Sequence, residues 1–332
     1  MIFNMGAMAP TFDLIVSGYP GATVTVTDGK KTWTQVTDSD GTTVFAKMKK
    51  GEYTVTAAAG GETASYYVTI SRDSANMLNI NAIPEFTYNG SYKIVNDSDN
   101  VITHAIKNWK IRFLTGGTLT FKKLNGAADG IDIFCVGGGG NGGTGIMFGA
   151  GATAGAGGGG GGGRTATKRG AAVGLTSYSI AVGGSGGTSS FANILSAAPG
   201  SNGGDGSKYG SSGDGGSGGS GGGGGSIIVA NAKGGTNGSN GANADAAGNH
   251  AGYGWGGAGL DKATGTKEFH EANGQLYSTG GDGGGYGING NPRTATANTG
   301  NGGGGGGSTA GGGSDSTGGD GSSGIVIIRN KR

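Results

Sequence analysis

The chain has 332 residues, of which 84 are glycine, 5 proline and 1 cysteine, and its 23 basic and 21 acidic residues leave a formal charge of +2. Five prolines cannot supply a collagen repeat, a charge near zero argues against nucleic acid as partner, and no apolar run approaches the roughly 18 residues of a membrane span. The opening MIFNMGAMAP lacks the n-region and apolar core of a secretory signal, and a lone cysteine forms no internal disulfide, so a chain made in a reducing cytoplasm is expected.

Glycine is unevenly spread: 9 of the 84 fall in residues 1–115 and 75 in residues 116–332. A conventional part and an unusual one therefore share the chain, and three segments are expected: 1–9 for attachment, 10–83 as a small β-sandwich and 84–332 as a glycine-rich domain.

Residues 10–83 read as short alternating strands. TFDLIVSG, ATVTVTD, KTWTQVTD, TTVFAKM, EYTVTAAA and ASYYVTI are separated by Asp28-Gly29, Lys50-Gly51 and Gly60-Gly61, all turn signals. Period-two alternation marks Leu14, Val16, Val24, Val26, Val44, Phe45, Tyr53, Val55, Tyr67 and Ile70 as core. Asp38-Ser39-Asp40-Gly41 imitates a calcium loop, but the glutamate due at the twelfth position is Lys49, and a plain turn is the simpler reading. The stretches GATVTV, TDSDGTTVF and KKGEYTVTA resemble immunoglobulin-like modules of the carboxypeptidase-regulatory and collagen-adhesin-repeat type. That resemblance implies a spacer or docking unit.

From residue 84 the pattern is again β-like, through SYKIVN, NWKIRFL, TLTFKKL and GIDIFCV, a framework over 86–136. Beyond Val136 the chain dissolves into glycine, and apolar cassettes resurface at 175–182, 226–230 and 324–330. A disordered segment has no need of such cassettes. The closing IVII must be buried, most simply beside IDIFCV.

Glycine tracts are expected over 137–163, 200–225, 234–259 and 280–323. Asp214, Ser217, Ser220, Gly223 and Ser226 recur every third residue with only glycine between them. Three residues per turn is the period of the polyproline II helix. Stripped of side chains, such helices can pack closely and bond backbone to backbone. The expected fold class is all-β: a sandwich, then a β framework carrying a bundle of polyglycine II helices, with essentially no α-helix.

Several catalytic motifs occur by composition alone. Gly137-x-Gly139-x-x-Gly142 follows a strand, but a dinucleotide fingerprint must open a helix, and the glycine-rich sequence that follows cannot form one. GGSGG around Ser220 has no histidine and acid partners of a hydrolase elbow, and Glu268-Phe269-His270-Glu271 is not a zinc motif. No enzyme, metal or cofactor is expected, and Cys135 reads as a small buried residue.

The stretches FTYNGSYKIV, WKIRFLTGGTLTF, ADGIDIFCVGGGGNGG, SYSIAVGGSGG, FANILSAAPGSNGG and GGDGSSGIVIIRN together resemble the glycine-rich domain of bacteriophage tail proteins and adhesins. The opening MIFNMG is similar to the start of tail-associated proteins from phages and prophages of Firmicutes. Long-tail-fibre tip adhesins of this kind present loops between polyglycine II helices to the host. The resemblance implies a virion tail or baseplate protein binding a bacterial surface glycan or protein. It also implies contacts with other tail proteins through the N-terminal part, and possible self-association.

Large residues interrupting the tracts are the candidates for such binding, because aromatic and basic side chains anchor interfaces. They are Ile146, Met147 and Phe148; Lys208 and Tyr209; Tyr253 and Trp255; Lys267, Phe269, His270 and Tyr277 within the longest interruption, 260–278; and Tyr286 and Arg293. Two other readings remain. One is a purely structural virion fibre or decoration protein. The other is an ice-binding polyglycine bundle, against which these aromatics argue.

Overall fold

The computed structural model describes residues 10–71, 76–146, 155–207, 213–222, 224–225, 233, 265–284, 296–307 and 315–332. Among these residues the regular structure is β, with two single-turn 3-10 segments and no α-helix.

β1 (Thr11–Ser17), β2 (Thr23–Thr27), β3 (Thr32–Val36), β4 (Thr42–Lys49), β5 (Gly51–Ala59), β6 (Glu62–Ile70) and β7 (Met77–Asn79) build the first sandwich. One sheet has the order β4-β1-β7 and the other β3-β2-β5-β6. Leu14, Val16, Val24, Val26, Phe45, Tyr53, Val55 and Ile70 meet in one core, as alternation dictates.

Two residues expected inside point outward: Val44 is 42% exposed and Tyr67 89%. Each adjoins a residue that faces inward, Phe45 and Tyr66, and a period of two admits only one of each pair. Further along β4, Ala46 and Lys47 together oppose the single Asp13, a bulge with Lys47 at φ +57. The Asp13 carboxylate accepts the Lys47 amide at 3.1 Å, and the extra residue swings Met48 into the core.

The turns follow their residues. The Asp28 carboxylate accepts the amides of Lys30 at 2.8 Å and Lys31 at 2.7 Å, which holds its pKa below the usual range. Asp38 likewise accepts from Asp40 and Thr42, so its carboxylate is engaged in a β-turn. Gly60 and Gly61, at φ +59 and +81, form the two-residue link between β5 and β6.

The second sandwich comprises β8 (Glu85–Tyr88), β9 (Tyr92–Val95), β10 (Lys110–Phe113), β11 (Gly117–Lys123), β12 (Ile131–Val136), β13 (Thr165–Ala171), β14 (Ser177–Ala181), β15 (Ser189–Phe191) and β16 (Leu195–Ala197). Three more strands follow: the small hairpin β17 (Thr266–Lys267) and β18 (Leu276–Tyr277), and the closing β19 (Ile325–Asn330). Its sheets have the orders β13-β12-β19-β10-β9 and β16-β15-β14-β11-β8.

The closing strand lies where its apolarity requires. β19 runs antiparallel between β12 and β10, with Val326 opposite Cys135 and Ile328 opposite Ile133. Inward residues of both sheets, among them Phe113, Phe121, Ile133, Phe191 and Ile328, form the core together with Trp109, which precedes β10. The other face of β12 and β19 is covered too, because Phe134, Val136, Ile325 and Ile327 pack with Phe269 and Tyr277 of the 265–278 hairpin. Burial on both faces explains why these two strands are runs of apolar residues rather than alternating ones. The cassette 226–230 and the tract 234–259 lie outside the described residues.

Candidate functional site

Among the described residues, seven glycine-rich tracts leave and re-enter one end of the second sandwich. They span 137–146, 155–164, 198–207, 213–222, 278–284, 299–307 and 315–324. The first continues β12, the second enters β13, the third continues β16, the fifth continues β18 and the seventh enters β19.

Backbone hydrogen bonds join them at every third residue. The amides of Gly137, Gly140, Gly143 and Ile146 donate to the carbonyls of Arg164, Gly161, Gly158 and Gly155, an antiparallel pairing of the first two tracts. Gly139, Gly142 and Gly145 donate to Ser322, Gly319 and Ser316 of the seventh tract. Gly200, Gly203 and Gly206 of the third tract donate in parallel to Gly138, Asn141 and Thr144. One helix therefore bonds different neighbours from its three edges, which requires three residues per turn.

The second tract is the axis. It bonds to five others: the first, third, fourth, fifth and sixth. A Cβ on any residue from Gly157 to Gly163 would collide with a backbone carbonyl of the first, fourth or fifth tract. That is why AGGGGGGG stands there without interruption, while outer tracts keep a polar residue at intervals. Those polar side chains satisfy amides left open at the surface of the bundle. Asn202 accepts the Asn141 amide at 2.9 Å and Asp205 the Thr144 amide at 2.6 Å.

Each backbone bond contributes about 1 kcal/mol net, close to the cost of fixing one residue's backbone. A lone tract therefore has no reason to order. Interior residues such as Gly160, which donates to Gly303 and accepts from Gly281, are ordered by several neighbours at once.

The bundle has a base at the sheets and an apex away from them, roughly 28 Å apart along the ten residues, or nine steps, of the central tract at the polyproline II rise. At the base Gly163 donates to Gly300, and Gly300 to Ser323. At the apex Ile146 meets Gly155, Gly206 meets Thr144, Gly145 meets Ser316, and Gly284 meets Gly157.

Of the residues singled out in the sequence, Ile146 is half-buried at the apex, and Lys267 and His270 are exposed on the hairpin. Phe269 and Tyr277 are corrected: each is 1% exposed. They cover the outer face of β12 and β19 and are not free to bind, because that apolar face has to be removed from water. Met147, Phe148, Lys208, Tyr209, Tyr253, Trp255, Tyr286 and Arg293 lie outside the described residues.

Sequence reading missed the charges that fasten the hairpin. Glu268, 3% exposed, pairs with Lys110 at 3.1 Å and Arg112 at 2.5 Å, and both bases also reach Asp99 at 2.8 Å. Burial pulls the Arg112 pKa down, but Tyr277, Glu268 and Asp99 together hold it above its usual value. Alongside, Asp132 binds Arg169 at 2.9 Å and Arg329 at 3.2 Å, Arg329 reaches Glu271 at 2.7 Å, and its guanidinium lies 4.1 Å from the Phe269 ring centre. The signal was present: Asp132 interrupts IDIFCV and Arg329 follows IVII, odd places for charge unless the strands face a partner. Every charge is matched, so the cluster is a clasp. Among the described residues no group of histidine, cysteine and acidic side chains is arranged for a metal ion.

The class these features define is an all-β scaffold whose glycine tracts form a backbone-bonded bundle. The chain belongs to the glycine-rich domain family, whose match covers residues 114–331. The sandwich itself begins earlier than that match, since β8, β9 and β10 belong to its two sheets. No curated protein and no solved structure matches the chain.

Proposed function

We propose that this is a non-catalytic structural and adhesive protein of a phage tail or baseplate, whose bundle apex engages a glycan or protein receptor on the bacterial surface. The observation that carries this reading is that five tracts are bonded together at the end of the bundle away from the sheets, Ile146 to Gly155, Gly206 to Thr144, Gly145 to Ser316 and Gly284 to Gly157. The sequence runs on from those residues into its large side chains, Met147 and Phe148, Lys208 and Tyr209, and Tyr286. A bundle ordered by its own backbone loses little entropy on contact, which suits it to presenting a binding end. The N-terminal sandwich, two-layered as the immunoglobulin-like resemblance implies, serves as the module docked to other tail or baseplate proteins.

The test is direct. The full chain is labelled, displayed multivalently and incubated with a panel of bacterial strains, beside a variant carrying Met147→Gly, Phe148→Gly and Tyr209→Ser. Binding by the parent and not by the variant is expected. If no strain retains the parent, the adhesive reading fails and the purely structural one stands, and if the variant binds equally well, Met147, Phe148 and Tyr209 do not form the site.

A further inference from the structure

The two sandwiches are joined by more than their linker. Ile106 is buried in the core of the first, and the Glu62 carboxylate accepts the amides of Lys107 at 3.1 Å and Asn108 at 3.2 Å. Against this joint lies a cavity of about 400 Å³, within the size range of small-ligand sites. Both sandwiches line it: Tyr66, Asn79 and Asn81 from the first and its exit, Asn125 and Asp129 from the turn after β11.

The amides in this cleft are held in fixed orientations. The Asn79 side-chain oxygen accepts the Asn81 amide at 2.9 Å, and that of Asn81 accepts the amides of Ile83 and Ala105, both at 3.2 Å. Their NH₂ groups have no partner among the described residues. Asn125 is held the opposite way: its Nδ2 donates to the Ile83 carbonyl at 2.7 Å, which leaves its oxygen as acceptor. The Tyr66 hydroxyl donates to the Ile80 carbonyl at 3.3 Å, and burial raises its pKa, so it stays neutral with its lone pairs open. Lys107, Lys331 and Asp129 also line the cleft, two cations against one anion.

We propose that this cleft binds a saccharide carrying a negative charge. Sugar hydroxyls both donate and accept, which suits a wall that offers fixed NH₂ donors together with a fixed carbonyl and a phenol oxygen. The excess cation selects an acidic sugar over a neutral one. The site is separate from the bundle apex, and it places a second point of glycan contact at the joint between the sandwiches.

The full chain is titrated calorimetrically with a glucuronate-containing disaccharide and with the same disaccharide bearing glucose. The acidic sugar is expected to bind more tightly. A Lys107→Ala/Lys331→Ala variant, altering two exposed side chains, should bind it about tenfold more weakly and bind the neutral sugar as before. Asn79→Ala should weaken both. The proposal is overturned if neither sugar binds, if the two bind equally, or if an acidic peptide of equal charge displaces the sugar. The apex variant with Met147, Phe148 and Tyr209 replaced should bind the acidic disaccharide like the parent, so failure at the cleft and failure at the apex are told apart.

Discussion

The carbonyl oxygen of Gly140 occupies the space that a Cβ on Gly160 would need. Both groups are backbone in tracts bonded on several sides, so neither can yield alone. Gly160→Ala should therefore cost well over the 1–3 kcal/mol typical of overpacking and lower the melting temperature steeply. Gly184 is the control: nothing lies within 4 Å of its would-be Cβ, and its φ is not positive. Gly184→Ala should be neutral or slightly stabilising. Equal melting temperatures for the two variants would refute a backbone-packed bundle.

Glu268 is the keystone of the hairpin clasp, 3% exposed and shared by Lys110 and Arg112. Glu268→Gln preserves the shape and leaves Lys110 and Arg112 with the partly exposed Asp99 as their remaining counter-ion. Breaking a buried pair from one side costs about 3 kcal/mol, and here the loss should be local at first. Limited proteolysis should then cut within residues 265–278 of the variant before the rest of the chain. A variant as resistant as the parent would mean that the apolar contacts of Phe269 and Tyr277 hold the hairpin unaided.

The framework was legible because its signals are local or self-complementary. IVII is too apolar to stay exposed, and the strand it pairs with, IDIFCV, is the other run of that kind. The threefold spacing of Asp214, Ser217 and Ser220 likewise reports helix geometry within a few residues. What sequence reading could not give was long-range: Lys110 and Arg112 find Glu268 more than 150 positions away. Nor does composition reveal that Phe269, at φ +51, turns onto the sheet. An aromatic in a glycine-rich loop looks the same whether it awaits a receptor or covers a core.

The closing strand should be indispensable. Ile325 to Ile328 are at most 3% exposed, and β19 separates β12 from β10. Deleting residues 324–332 opens the main core and the hairpin-covered face together, so the shortened chain should be insoluble. Ile327→Ala is the graded form, expected to cost about 3 kcal/mol and to be visible as a lower denaturation midpoint. A soluble, cooperatively melting truncation would show that the second sandwich closes without β19.

Alkaline stability should follow two buried acids, Cys135 and Tyr277, and the half-buried Tyr88. Desolvation pushes the Cys135 thiol from 9.0 up to about 12 and the Tyr88 hydroxyl from 10.0 up to about 12, and it raises Tyr277 as well. For each group the unfolded chain releases its proton at a lower pH than the folded one. Their contribution is fully present below pH 9 and is lost as the pH climbs toward 12. The melting temperature should therefore hold level up to pH 9 and decline above it, and Cys135→Ala should delay the onset toward pH 10, where tyrosine takes over. Because Cys135 is fully buried, a thiol reagent at neutral pH should label it only at the rate of unfolding. Rapid labelling of the native chain would place the thiol within reach of solvent and remove the basis for the alkaline prediction.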